Sequence, residues 1–301
     1  MTMKFWLVVL LTLLVLLLVA CGGNMSTEEM NAPSFDIHVR ASPEPTEHNP
    51  ADLLSVHFIN VGEGDAILLV QGSYAMLVDG GPVKMGATVF THLRNHGVER
   101  LEYVVATHPF TDHVGGLPYV LRRIETRNIL LPLVYHDTPE YNTFLIAVED
   151  SDAEVSVPFA GHTFTLGDAE ITVLSPNPTD EWENRANYSI IVRVVFGNNS
   201  FLLTGDAMRE VEASLLDSTA HLSSDVLKVA RHGASSATTS GFLDAVNPAI
   251  AVISAGENNS FLSQEVLRRL DNAGAYVFRT DLHGSIIITS DGTTLAVSVE
   301  Q

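Results

Sequence analysis

Four short stretches of the chain put chemically able side chains directly after apolar runs. They are Asp79-Gly80-Gly81, Thr107-His108-Pro109-Phe110-Thr111-Asp112-His113-Val114-Gly115-Gly116, Gly205-Asp206 and His232-Gly233. Imidazole nitrogen and carboxylate oxygen together suit a divalent ion such as Zn²⁺, Mn²⁺ or Fe²⁺. Asp112 and His113 are adjacent, so they reach one ion only from a sharply turned segment. Gly115 and Gly116 permit such a turn, or close packing behind it. A carboxylate such as Asp206 can bridge two ions. A pair about 3.5–4 Å apart would activate water and hold a leaving oxygen. Taken singly, each residue has a plain explanation: Asp79 as a turn former, Asp206 as a cap for the helix that follows, His108 as a strand-end histidine bonded to backbone. The combination favours chemistry, because separate turn explanations would otherwise have to coincide.

The elements that must position these residues follow from hydrophobic periodicity and turn residues. Strands are expected at 53–59, 66–70 and 74–78, forming a meander. A helix is expected at 88–96, then a buried strand at 101–106 that delivers His108. A helix at 117–124 and a strand at 128–133 follow, then a helix at 144–151. Strands at 154–158, 162–165, 171–174, 188–196 and 200–203 lead to Asp206. Beyond it come a helix at 209–216, a strand at 226–230 that delivers His232, a helix at 241–246, a strand at 249–254, a helix at 264–273 and a strand at 276–279. A hairpin at 285–289 and 294–299 closes the chain. Two packed sheets with helices on their outer faces satisfy the pattern. His57, His92, His96, His136, His162, His221 and His283 lack a comparable context and read as core, surface or turn histidines.

The N-terminus carries a different message. Lys4, an apolar run from Phe5 to Ala20 broken only by Thr12, and then Cys21 form the pattern of a secretory signal. Leu18-Val19-Ala20-Cys21 resembles a bacterial lipoprotein cleavage box, which implies lipid on Cys21. That cysteine is the chain's only one, so the fold must rest on core packing and not on disulfides. Residues 1–20 are thus expected to be a signal peptide and residues 21–50 a polar, proline-containing tether. Residues 51–301 are expected to form one large domain. The expected location is the extracytoplasmic face of a bacterial cell membrane, with the membrane as partner through lipidated Cys21. The formal net charge is −20, from 36 acidic and 16 basic residues. That charge, without a visible Lys/Arg cluster, weighs against a polyanionic substrate unless a metal offsets it.

The histidine–aspartate segment from Thr107 to Gly116 resembles the signature of metallo-β-lactamase-fold hydrolases. The runs from His57 to Ile67, Leu77 to Gly81, Leu202 to Asp206, Val226 to Ser235 and Val252 to Gly256 fall in the order of one branch. That branch is the extracellular hydrolase domain of the competence DNA-uptake channel protein and its free-standing lipoprotein relatives. The resemblance covers residues 53 to 299. It implies a four-layer αββα sandwich of the α/β class, with a metal site at one edge between the sheets. It also implies metal-dependent hydrolysis of phosphodiesters, with Zn²⁺ or Mn²⁺, one ion or two. His108, Asp112, His113, Asp206 and His232 are the ligand candidates, and Asp112 and His232 the catalytic candidates. Asp79 is expected to orient His113, and Arg231 to steady a phosphate or offset the acidic site. Asn187 matches an asparagine that the branch carries near the site. Three departures stand out. Phe110 occupies a position usually held by a ligating histidine, Arg231 replaces the first of two adjacent histidines, and residues 256–263 lack the usual Gly-His-Pro segment. They leave a second reading open, a degenerate member of the fold that binds a ligand or partner without hydrolysing it.

Overall fold

The computed structural model describes residues 38–40, 52–257 and 260–300. The signal peptide, the lipidated Cys21 and most of the tether expected from the sequence lie outside the described residues. Inside the stretch read as a tether, His38–Arg40 forms a short strand, β1, parallel to the chain's final strand.

The first sheet is built from β1, then β2 (Leu54–Phe58), β3 (Ile67–Gln71), β4 (Tyr74–Val78), β5 (Arg100–Val105), β6 (Glu125–Leu130) and β7 (Glu154–Ser156), with β15 (Ser285–Ser290) and β16 (Leu295–Glu300). Its order is β1-β16-β15-β2-β3-β4-β5-β6-β7. The second sheet contains β8 (Thr163–Leu166), β9 (Ala169–Ser175), β10 (Ile191–Phe196), β11 (Asn199–Leu203), β12 (Val226–Lys228), β13 (Ile250–Ile253) and β14 (Tyr276–Arg279), in the order β14-β13-β12-β11-β10-β9-β8. Each sheet is antiparallel in its meander and parallel where helices intervene: β4 to β7 in the first, β11 to β14 in the second.

Alternation along the strands explains the layering. Val56 and Phe58 of β2, Leu69 of β3 and Met76 of β4 point into a core shared with Ile171, Val192, Val194 and Phe201 of the opposite sheet. The intervening Leu68 and Leu77 point outward. There they meet Val89 and Leu93 of helix α1 (Gly86–Asn95), with Val120 of α3 (Leu117–Leu121) and Phe144 of α4 (Pro139–Glu149) in the same layer. A short helix α2 (Thr111–Val114) lies between α1 and α3 in sequence. On the far side, α5 (Arg209–Asp217), α6 (Ser240–Val246) and α7 (Gln264–Asn272) cover the second sheet through Val211, Phe242 and Leu270. Three apolar layers between four layers of elements make the αββα sandwich. Burying a Leu, Ile, Val or Phe side chain is worth about 1.5–3 kcal/mol, so these layers are the main source of stability.

Most expected elements are found within a few residues of their limits. The helix expected at 144–151 instead starts at Pro139, because Thr138 caps it by accepting from the Tyr141 N–H and Pro139 sits in the first turn. The strand expected at 188–196 starts at Ile191, because Arg185–Tyr188 forms a 3-10 turn capped by Asn184.

Candidate metal centre

The polar stretches all leave the carboxyl ends of adjacent parallel strands. Asp79 follows β4 and His108 follows β5, and those strands pair Val78 with Val105. Asp206 follows β11 and His232 follows β12, and those pair Leu203 with Lys228. Ligands commonly bind beyond the carboxyl ends of such strands. The two sheets are joined close by, where the Ile190 N–H donates to the Thr107 carbonyl at 2.9 Å.

The segment from Thr107 to Gly116 is held on all sides. The Thr107 N–H and hydroxyl donate to the Asp79 carboxylate at 2.8 and 2.6 Å. His113 Nδ1 lies 2.7 Å from Asp79 Oδ2. Asp79 therefore fixes the His113 ring and leaves Nε2 facing the site. Asp79 does this from a backbone φ of +59°, a conformation rare outside glycine. The sharp turn expected around Asp112 and His113 is one helical turn, α2, and it brings His113 Nε2 within 3.8 Å of Asp112 Oδ2. Gly116 permits the close approach behind it. Its N–H donates to the Gly81 carbonyl, and a Cβ there would overlap the Gly80 carbonyl oxygen.

Asp206 stands between the histidines. Its Oδ2 is 3.7 Å from His108 Nε2, and its Oδ1 is 3.4 Å from His113 Nε2 and 3.6 Å from His232 Nε2. His232 Nε2 also lies 3.4 Å from Asp112 Oδ2, while its Nδ1 is 3.2 Å from the Ser254 carbonyl. Arg231 and His232 both have positive φ, 48° and 53°. Two successive left-handed residues without glycine are a strained arrangement, and here it aims His232 inward. Ser189 supports the Asp206 loop by accepting from the Asp206 N–H at 3.1 Å.

All five residues expected as ligands thus gather in one cluster of overlapping sets. His108, His113, Asp206 and His232 are buried, whereas the Asp112 side chain keeps 31% of its surface exposed. Phe110 does not join them; its ring stands edge-on between those of His108 and His136, with centroids 4.9 and 5.3 Å away. Asn187 is buried nearby but braces the loop: it accepts from the Met208 N–H and donates to Glu210. Arg231 donates to Met208 Sδ at 2.8 Å and has the Phe261 ring 6.0 Å away.

Two contributors were not expected from the sequence. Asp65, read as part of a glycine-punctuated turn, is buried in the centre, with Oδ1 3.7 Å from His232 Nδ1. Its other oxygen is paired at 2.8 Å with Lys228 Nζ, which is fully buried at the end of β12. A lysine in the otherwise apolar run Val226-Leu227-Lys228-Val229 was the available signal, because a buried cation requires a buried partner.

The electrostatics favour a cation. Burial opposes charge on Asp206, yet His232, His113 and His108 hold its carboxyl well below the ordinary range. Burial likewise opposes charge on Asp112, but His113 and His232 bring it down to about 2. Burial and the neighbouring His113 lower His108 to about 3, so it is neutral and able to donate a lone pair. Burial disfavours charge on His113, but Asp79, Asp112 and Asp206 outweigh it and raise its pKa well above the ordinary value. Among the described residues, His108 Nε2, His113 Nε2 and Asp206 Oδ1 are buried without a hydrogen-bond partner. Buried polar atoms are ordinarily satisfied. Here the donor atoms of His108, His113 and Asp206 lie within 4.8 Å of one another, as do those of Asp112, His113 and His232 and those of Asp65, Asp206 and His232. The residues present therefore fit a divalent ion, with Asp206, His113 and His232 each shared between two of these sets.

The family model for the metallo-beta-lactamase superfamily matches residues 59–257, which contain every residue of this centre. The chain belongs to that superfamily. ComE operon protein 3 of Bacillus subtilis is 27% identical over 251 residues, covering 77% of this chain and 32% of that protein. Competence protein ComA of Neisseria gonorrhoeae is 28% identical over 248 residues, covering 81% and 33%. The chain thus spans about a third of the length of these relatives. Among solved structures, the metallo-beta-lactamase fold protein YhfI from Bacillus subtilis superposes with a TM-score of 0.53 at 14% identity, covering 79% of this chain and all of that one. At that identity the likeness supports the fold alone.

Proposed function

We propose that the protein is a metal-dependent hydrolase of phosphodiesters, tethered through Cys21 at the extracytoplasmic face of a bacterial membrane. The observation that carries the hydrolase reading is the convergence of His108, Asp112, His113, Asp206 and His232, with buried donor atoms on His108, His113 and Asp206 that have no partner among the described residues. His108, His113 and Asp206 would hold one ion, and Asp112, His113 and His232 would hold it or a neighbour. Zn²⁺ or Mn²⁺ matches the mixed nitrogen and oxygen donors. A bound ion supplies Lewis acidity toward the substrate and toward the attacking water.

The chain's own residues supply the rest. Asp112 is the site carboxylate with an edge exposed to solvent, and where it is not bound to the ion it would accept the proton of the attacking water. His232, fixed by the Ser254 carbonyl, presents Nε2 beside Asp112; where that nitrogen carries a proton and not the ion, it would donate it to the leaving oxygen. Arg231, next to His232 in the chain and held by Met208, would supply a positive charge for a phosphate. Phosphodiester is favoured over ester or lactam by that arginine and by the similarity to competence proteins. The net charge of −20 opposes long polyanions and favours short or locally presented ones.

The supporting test is hydrolysis of a nitrophenyl phosphodiester and of short DNA by the full chain loaded with Zn²⁺ or Mn²⁺. Metal-dependent turnover that is lost in His113→Ala is the expected result. Metal retained and turnover absent with phosphodiester, ester and lactam substrates alike would favour the second reading, a binding module. The observation behind that reading is Phe110, which places an aromatic edge beside His108 where the resemblance expects an imidazole.

A further inference from the structure

A second group of histidines assembles away from the strand-end centre. Val56 and Phe58 of β2 enter the inner core, so His57 between them faces outward, under α1. His92 in the last turn of α1 and His96, which caps its C-terminus four residues on, point back at it. The three rings pack together, with centroids 4.2 Å apart for His92 and His96, 4.4 Å for His57 and His96, and 5.2 Å for His57 and His92. His57 and His92 are buried and His96 is half-buried.

The nitrogen arrangement resembles a ligand set. His57 Nδ1 and His92 Nε2 are 3.1 Å apart. Two nitrogens bound about 2.0–2.1 Å from one tetrahedral ion stand roughly 3.3–3.4 Å apart. One ring nitrogen from each of the three histidines lies within 4.8 Å of the others. Two of the rings are oriented through their remaining nitrogens: His57 Nε2 is 3.0 Å from Ser55 Oγ, and His96 Nδ1 is 2.9 Å from the His92 carbonyl. Such outer hydrogen bonds characteristically hold ligating histidines. The carboxylate of Glu300, at the end of β16, braces two of the rings from outside the set: Oε1 is 3.4 Å from His96 Nε2, and Oε2 is 3.6 Å from His92 Nδ1, the nitrogen not turned toward His57.

We propose that His57, His92 and His96, with the Glu300 carboxylate bracing the last two, form a second metal site for Zn²⁺ that fastens α1 to the first sheet. Two of the imidazoles are held neutral, as ligation requires: burial and the neighbouring histidines keep His57 well below its ordinary pKa, and burial with His96 brings His92 down to about 4. None of these four residues belongs to the strand-end centre. The alternative occupant of the 3.1 Å gap is a plain N–H···N hydrogen bond.

The test measures Zn²⁺ bound to the full chain by equilibrium dialysis and elemental analysis. The strand-end centre is first disabled with His113→Ala and Asp206→Ala. That variant is expected to bind one Zn²⁺, with at least a tenfold loss of affinity on adding His96→Ala and a smaller loss on adding Glu300→Gln. If disabling the first centre prevents folding, the comparison is made in the otherwise unaltered chain. There His96→Ala, at a half-exposed ring, should lower Zn²⁺ content by one ion and leave phosphodiester turnover intact. A Co²⁺ absorption spectrum that changes on His96→Ala provides a second readout. No Zn²⁺ bound by the first variant, or Zn²⁺ content unchanged by His96→Ala in either background, would overturn the proposal.

Discussion

At the scale of single residues, the centre depends on side chains that do not meet the ion directly. Asp79 fixes His113 by a 2.7 Å contact and holds the Thr107 backbone. Replacing it by asparagine keeps the size but removes the charge. The expected outcome is about a 10–100-fold loss of metal affinity, read by competition with a chromogenic chelator. Lys228 has a different role. It is fully buried against Asp65, and its truncation leaves a carboxylate among other carboxylates. Lys228→Met should cost about 3–5 kcal/mol in urea unfolding, and adding Asp65→Asn should recover part of it. A double variant no more stable than the single one would mean that the pair is not the source of the loss. Lys228 stands out only as a charge in an apolar run, and Asp65 does not stand out at all. Asp65 shares its turn with Asn60 and Glu63, and nothing in the order of residues distinguishes the one that points inward. Asp112 and His113 were legible because only a turn could make both useful.

Elements decide whether those residues meet. The strands that deliver Asp79, His108, Asp206 and His232 can be read from apolar runs, since a buried parallel strand has few alternatives. Helix starts are less legible: the helix at Pro139–Glu149 begins five residues ahead of its expected start because its first turn is set by a cap and not by apolar spacing. The meeting of His57 with His92 and His96 is also hidden, since it depends on how α1 crosses β2, across 35 residues of sequence. Two outcomes are expected at this scale. Gly116→Ala would press a Cβ against the Gly80 carbonyl, shift α2 and cost about 1–3 kcal/mol, with a drop in metal affinity alongside the lower melting temperature. The second concerns pH in chelator-treated protein. His92 has a folded pKa of about 4 against an ordinary 6.5, so the unfolded chain binds the extra proton between those values. Stability should therefore fall as pH drops from about 6.5 to about 4. His92→Gln should flatten that slope, and an unchanged slope would show that His92 is not its source.

For the whole molecule, the sandwich was legible because strand meanders and strand–helix alternation allow few other layerings, and because the motif order is that of a known family. Its activity is less legible, since the same fold carries Phe110 where a ligand is usual. If the strand-end centre holds metal, ligand linkage makes the ion part of the stability. Ion present at 100 times its dissociation constant adds about 2.7 kcal/mol. Chelation should lower the melting temperature, and Zn²⁺ or Mn²⁺ should restore it. Metal content and phosphodiester turnover of the full chain, compared between the unaltered protein and His113→Ala, test the hydrolase reading most directly. The substitution is expected to remove strand-end metal and turnover together. Undiminished metal content with undiminished turnover would contradict that reading.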